Sequence, residues 1–210
     1  MLMRQYNYRP RVIKMSVKKL LNKKVCLIWL FAAFVYGIIL PFFWGNDPWD
    51  SMGTLSILCE NHKPFFWLWV LVCCGGNLVN TNYMYKKYNN KNKALVIISL
   101  AAFVASCGIA ATLGHSVLDW NPKRVAHWIC TGLYIALLGV SVGFFGLLNI
   151  KKGKGYAALF LCVIGIVVFL VVWLLTIGKS AVFEMIPYAL LQTILFLVNY
   201  TNVFRLKAVS

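Results

Sequence analysis

Six stretches of the chain are each long enough to cross a bilayer and nearly free of Asp, Glu, Lys and Arg. They cover residues 25–46, 64–85, 94–118, 125–150, 155–178 and 180–204, and only the last carries such a charge, Glu184. The hydrocarbon core of a membrane is about 30 Å thick and takes about 20 apolar residues of helix to span. Lipid offers backbone N–H and C=O groups no water, so a spanning segment must be a helix or part of a closed barrel. The stretches lack the short alternation of a barrel strand. The sequence therefore predicts an all-α fold, an integral membrane bundle of six transmembrane helices. The spans are expected at about 25–44, 65–85, 94–114, 127–148, 156–177 and 181–203.

Composition points the same way. Of 210 residues, 61% are hydrophobic and 12% charged, against about 45–50% and about 25% in an average soluble domain. A soluble domain, a disordered chain and a disulfide scaffold are excluded. The net charge of +16 would suggest nucleic acid in a soluble protein, but here the basic residues fill the gaps between apolar stretches. No nucleic-acid partner is expected.

The distribution of those residues sets an orientation. Arg4, Arg9, Arg11, Lys14, Lys18, Lys19, Lys23 and Lys24 precede the first stretch. Lys86, Lys87, Lys91 and Lys93 follow the second, Lys151, Lys152 and Lys154 the fourth, and Arg205 and Lys207 the sixth. The alternate connections hold only Lys63, Lys123, Arg124 and Lys179. Positive residues stay on the cytoplasmic side, so both termini are expected in the cytoplasm. The chain then divides into a basic cytoplasmic tail (1–24), the transmembrane domain (25–204) and a short cytoplasmic tail (205–210). A basic region before an apolar run resembles a signal peptide, but the run is too long. Trp44-Gly45-Asn46-Asp47 also offers no small-x-small cleavage site, so an uncleaved anchor is expected. The basic N-terminal tail is read first as a topology determinant, with contact to anionic lipid as the alternative.

In this orientation all five acidic residues and all three histidines fall toward the outer face. His115 and Asp119 are four apart and share a face if the third helix continues outward. His127 opens the fourth helix, and Glu184 lies about one turn into the sixth. His115, Asp119, His127 and Glu184 are the candidate catalytic or metal-binding set. Imidazole and carboxylate suit zinc, and zinc-bound water is a nucleophile near neutral pH. Against this, there is no H-E-x-x-H motif, and groups at a membrane interface also pair with one another or with Lys123 and Arg124. Glu184 suits a helix N-terminus. His127, with Thr131 four residues on, reads as a polar contact between helices three and four or as a titrating group. No catalytic residue, metal or cofactor is assigned from the sequence.

The seven cysteines include no C-x-x-C pair, which disfavours thiol–disulfide chemistry. Cys59 alone is expected outside the spans and open to impermeant thiol reagents. A Cys59–Cys130 bridge is conceivable, and Cys26 is a potential lipidation site at the cytoplasmic edge. Trp44, Trp49, Trp67, Trp69, Trp120 and Trp128 are expected to form the outer aromatic belt, and Tyr83, Tyr85 and Tyr88 the inner one. Asn77, Asn80 and Asn82, after Gly75-Gly76, suit close contacts between helices. With Gln192, Asn77 and Asn80 are also the obvious candidates for a polar transport path.

Several local motifs carry a resemblance. Ser51-Met52-Gly53-Thr54 precedes helix two, Tyr83-Met84-Tyr85-Lys86-Lys87-Tyr88 closes it, Asn92-Lys93-Ala94 opens helix three, and His127 with Thr131 and Gly132 begins helix four. In these the chain resembles the damage-regulated autophagy modulator (DRAM) family, within a wider group of Frag- and Sfk-type six-span proteins. The Pro-Glu that often follows the first-loop glycine in that family is absent, and the outer loop before helix six is shorter. A bacterial six-span family with an Asp and a His around the third outer turn fits Asp119 and His127 comparably. The DRAM resemblance implies a non-enzymatic modulator or scaffold of autophagy or lipid handling in the endolysosomal or plasma membrane. It implies membrane lipids as partners and assigns no catalytic residues. The rival reading is an outer-leaflet lipid hydrolase or lipid/GPI-remodelling enzyme built on the His/Asp/Glu set.

Overall fold

Amide and hydroxyl side chains start the main helices. Asn22 Oδ1 accepts from Lys24 N–H at 3.0 Å, Asn92 from Ala94 at 2.9 Å, and Asn121 from Arg124 at 2.9 Å, with Pro122 at the first helical position. Ser180 Oγ accepts from Phe183 N–H at 3.1 Å. Each satisfies an N–H that the helix itself cannot reach. The computed structural model describes residues 22–42, 55–113, 121–176 and 180–206, with no strand among them. Its helices are α1 (Lys23–Ile39), α2 (Leu55–Leu58), α3 (Lys63–Trp69), α4 (Gly75–Lys87), α5 (Lys93–Ala111), α6 (Pro122–Leu148), α7 (Lys154–Thr176) and α8 (Ala181–Tyr200).

These elements make six helical spans long and apolar enough to cross a membrane: Lys23–Phe42, Glu60–Lys87, Lys93–Ala111, Pro122–Leu148, Lys154–Trp173 and Ala181–Tyr200. The protein is thus an all-helical, multi-pass chain, as its apolar stretches predict. The fourth span starts at Pro122, so His127 sits in its second turn rather than opening it.

The second span is interrupted. Between α3 and α4 the residues Val70–Cys74 form a π turn. A π turn holds an extra residue, so neighbours that a regular helix would point apart can both face the core. Val70, Cys73 and Cys74 are all buried here. Trp29 Nε1 of α1 donates to the Val72 carbonyl at 2.9 Å, and Cys73 Sγ to the Ala33 carbonyl at 3.3 Å. The second span is central, packing on α1, α5 and α8, with α4 also reaching α6. At the end of α4 the chain turns through Asn89 in the left-handed region, φ 48°. Asn90 N–H reaches back to the Tyr85 carbonyl at 2.8 Å and Asn89 N–H to that of Lys86 at 3.2 Å. This is the helix-ending motif that Asn tolerates and most side chains do not.

Two ends of the bundle differ in charge. Lys23, Lys86, Lys87, Lys93, Lys151, Lys152 and Lys154 gather where α1, α5 and α7 begin and α4 and α6 end, hereafter the basic end. The opposite end carries α2 and the starts of α6 and α8. α7 packs on α6 and α8 and is the least buried span. Its mutual fit with α6 changes along the helix. Gly132, Gly139, Gly143 and Gly146 lie on one face of α6 by their spacing. Toward the basic end a Cβ at Gly146 would lie 2.8 Å from the Tyr156 carbonyl oxygen and 3.0 Å from the Phe160 nitrogen, so the two backbones touch. At Gly139 and Gly132 a Cβ would meet nothing within 4 Å. The helices are closed at one end and parted at the other.

The expected aromatic belts are only partly present. Trp67 and Trp128 are exposed, as belt residues should be. Trp69, Tyr85 and Tyr88 are instead buried in the core. Tyr85 donates to the Ser141 carbonyl at 2.7 Å and Tyr88 to that of Val198 at 2.8 Å. A hydroxyl in the core is tolerated because it finds an acceptor. Trp44, Trp49 and Trp120 lie outside the described residues.

Candidate functional site

The parting of α6 from α7 opens a cavity of about 540 Å³ at the opposite end of the bundle. Its walls come from α6, α7 and α8, with α2 and α3 contributing Leu55, Phe66 and Trp69. The α6 wall includes the bare backbone at Gly132 and Gly139; the α7 wall is the branched aliphatic row Val163, Ile166, Val167 and Val171. Most of the lining is apolar. The volume lies within the about 300–1,000 Å³ typical of small-molecule sites, which are mostly apolar with a few placed polar groups.

Those polar groups sit at two levels. Arg124, His127 and Glu184 line the cavity in the first two turns of α6 and α8, at the opposite end. Glu184 Oε2 accepts from the Leu55 N–H at 2.8 Å, fixing α2 against α8. The Arg124 guanidinium lies over the Trp128 ring at 5.0 Å from its centroid, a cation–π contact. His127 is 5% exposed and Nδ1 lies 3.1 Å from the Ile109 carbonyl oxygen and 3.2 Å from Thr112 Oγ1. The Thr112 hydroxyl itself donates to Gly108 O at 2.7 Å. A proton on Nδ1 therefore satisfies a carbonyl in the last turn of α5, a site that favours a donor. This is the polar contact between the third and fourth spans that the sequence suggested.

About 10 Å deeper than His127 along α6, at 1.5 Å per helical residue, the wall carries Tyr134, and about 6 Å deeper than Glu184 along α8 it carries Tyr188. Their hydroxyls join a buried network. Asn77 Nδ2 donates to Tyr134 OH at 3.0 Å, Gln192 Nε2 donates to Tyr188 OH at 3.0 Å and also to Asn77 Oδ1, and Tyr188 OH donates to the Ala33 carbonyl at 3.2 Å. Toward the basic end Tyr200 OH donates to Asn80 Oδ1 at 2.8 Å and Asn199 Nδ2 to the Asn80 carbonyl at 2.9 Å. Asn82 Nδ2 bonds Ser99 Oγ at 3.2 Å. Asn80 Nδ2 also donates to the Cys26 carbonyl of α1 at 3.1 Å, so the three amides of the second span reach four neighbouring helices, α1, α5, α6 and α8.

Of the candidate set, His127 and Glu184 line the same cavity. His115 and Asp119 lie outside the described residues, as do Asp47 and Asp50. Among the described residues no group of three His, Cys, Asp or Glu side chains is placed to hold a metal ion. The cysteines are free thiols, Cys59 and Cys130 included, so that bridge is not formed. Cys59 is 0% exposed, not the accessible thiol expected. Burial, and then the negative charge of Glu184, push its pKa up to about 12. Cys26, also 0% exposed, is no open lipidation site.

The sequence reading missed Tyr134, Tyr188 and the cavity. Two signs were present: tyrosines far from either end of a span, whose hydroxyls need partners in lipid, and four glycines on one face of one helix. Comparison with protein-family models, with curated proteins and with solved structures finds no match.

Proposed function

We propose that this protein is a non-enzymatic membrane protein that holds one lipid of the surrounding bilayer in the cavity between α6, α7 and α8. The observation that carries the reading is the parting of α7 from the glycine face of α6. An apolar void of this size inside a membrane protein costs packing contacts unless something fills it, and lipid is what surrounds it. The charged and imidazole side chains at one end and the apolar walls below match an amphiphile in shape and polarity. The charge asymmetry supports both termini on the cytoplasmic side, which puts the cavity in the outer half of the membrane. The resemblance to the autophagy modulators supports a role in autophagy or lipid handling in an endolysosomal or plasma membrane. Anionic lipid at the basic N-terminal tail fits the same orientation.

The lipid hydrolase reading keeps one supporting observation, that His127 and Glu184 face one cavity. It requires a metal or a third catalytic group, and metal content of the purified protein tests it.

The lipid reading is tested by native mass spectrometry of protein extracted in mild detergent. The wild type is expected to retain lipid. Gly139→Phe, whose side chain enters the open space against α6, is expected to lose it while keeping its melting temperature. Equal lipid in both proteins, or none in the wild type, would overturn the proposal.

A further inference from the structure

We infer that the cavity takes one acyl chain of a bilayer lipid and selects that chain by its length, while the head group stays outside at the membrane surface. This rests on the lipid-binding reading above and names what the site selects. The cavity is open along one side and closed at one end. Ile135 of α6 and Val167 and Val171 of α7 line it and are still 48%, 43% and 51% exposed. Their outer faces meet the surrounding lipid, so a chain enters sideways between the two helices without drawing its head group into the bundle.

The inner end is blocked. Leu138 and Gly139 are the deepest lining positions of α6, and Val163 is the deepest of α7. Below them Val142, Phe145 and Leu159 are fully buried. A Cβ at Gly143 would lie only 3.2 Å from Val163 Cγ1, whereas at Gly139 it would meet nothing within 4 Å. A methylene pushed past Val163 therefore meets close-packed side chains, and such packing resists added volume. The α6 wall from His127 to Gly139 runs about 18 Å, and the α7 wall from Val171 to Val163 about 12 Å, at about 1.5 Å per residue. One leaflet of a hydrocarbon core about 30 Å thick gives a chain about 15 Å. The depth thus matches one ordinary chain. Arg124 and Glu184 at the mouth are already engaged, with the Trp128 ring and the Leu55 N–H among their partners. Discrimination therefore falls to the apolar part. Lipid solvates every chain equally well, so chains differ by fit to the cavity and not by transfer from water.

The test offers the full-length protein an equimolar mixture of lauroyl, myristoyl, palmitoyl, stearoyl and arachidoyl lysophosphatidylcholine. Native mass spectrometry, in a detergent with a chain shorter than any probe, reads which is retained. One head group throughout leaves length as the variable. The wild type is expected to retain the myristoyl or palmitoyl probe most and the arachidoyl probe about fivefold less, the low end of an overpacking cost. Val163→Ala deepens the closed end and should move the optimum to a longer chain. Gly139→Val raises it and should move the optimum to a shorter one. Gly132→Val narrows the mouth and should lower all probes together without moving the optimum. Melting temperatures within a few degrees of wild type show that the variants are folded. A flat length profile, or an optimum that Val163→Ala or Gly139→Val leaves unmoved, would overturn the length selection alone. No probe retained at any length, or lipid retained in full by Gly139→Phe, would instead overturn the lipid reading beneath it.

Discussion

Asn77 on α4 donates from Nδ2 to the hydroxyl of Tyr134 on α6 at 3.0 Å, and both side chains are buried. Lipid offers neither group a substitute partner. Tyr134→Phe removes the acceptor and is expected to cost about 1 kcal/mol, within the range for polar contacts inside membrane bundles. Asn77→Leu should cost at least as much, because it also removes the acceptor for Gln192 Nε2. The double variant should cost less than the sum of the two. Unfolding in mixed micelles measures all three, and strict additivity would show that the bond carries no coupling.

The glycine face of α6 predicts opposite outcomes at its two ends. At Gly146 a new side chain would meet the α7 backbone, with Tyr156 O at 2.8 Å. Gly146→Val is expected to separate the helices and cost about 1–3 kcal/mol, the range for overpacking. At Gly132 nothing lies within 4 Å. Gly132→Ala should be neutral or stabilising by up to about 1 kcal/mol, through helix propensity. Thermal melting of the two variants checks the contrast; equal losses would argue against a cleft that opens along the helix.

Much of the fold was legible because lipid imposes one rule on every residue of a span. Charge-free length alone locates the helices. The interior was less legible. Periodicity cannot show a π turn, which shifts the register of Trp69, Val70 and Cys73 within an unbroken apolar run. Nor does a belt tyrosine differ in sequence from Tyr85, whose hydroxyl finds the Ser141 carbonyl only because α6 passes beside it. The sequence leaves His127 either a contact between spans three and four or a titrating role, and the structure shows the contact. Its partner, the Ile109 carbonyl, is a backbone group and leaves no mark in the sequence.

Lys87 predicts a local effect at the basic end. Its Nζ donates to the carbonyls of Val198 at 3.1 Å and Asn199 at 2.8 Å, in the last turn of α8. A cation there both bonds carbonyls that the helix leaves open and meets the negative end of its dipole. Lys87→Met keeps the length and removes both effects. It is expected to cost about 1–2 kcal/mol, less than two fully buried charged bonds because the site is only half-buried. Hydrogen exchange should rise at Val198 to Tyr200 in the variant, and unchanged exchange there would show that the lysine does not hold the helix end.

Cys59 cannot report the orientation of the chain, because its thiol is buried. Cys59 lies in the connection before the second span and is fully buried; burial, then the charge of Glu184, raise its pKa to about 12. An ordinary thiol titrates near 8.5, and only the thiolate reacts. In the folded protein Cys59 should therefore resist a charged maleimide at pH 7 and still at pH 9, and react once the chain is unfolded. The sign of the linkage follows. A folded pKa above the unfolded one favours the neutral thiol in the native state, so this contribution to stability is complete below about pH 8.5 and is lost as the pH rises toward 12. Because Cys59 is silent, topology needs an introduced thiol. Lys91 is exposed at the basic end, and Lys91→Cys should be labelled by the charged maleimide in permeabilised cells and protected in intact ones. Labelling of Lys91→Cys in intact cells would invert the molecule, place the basic end outside and move the cavity to the cytoplasmic leaflet.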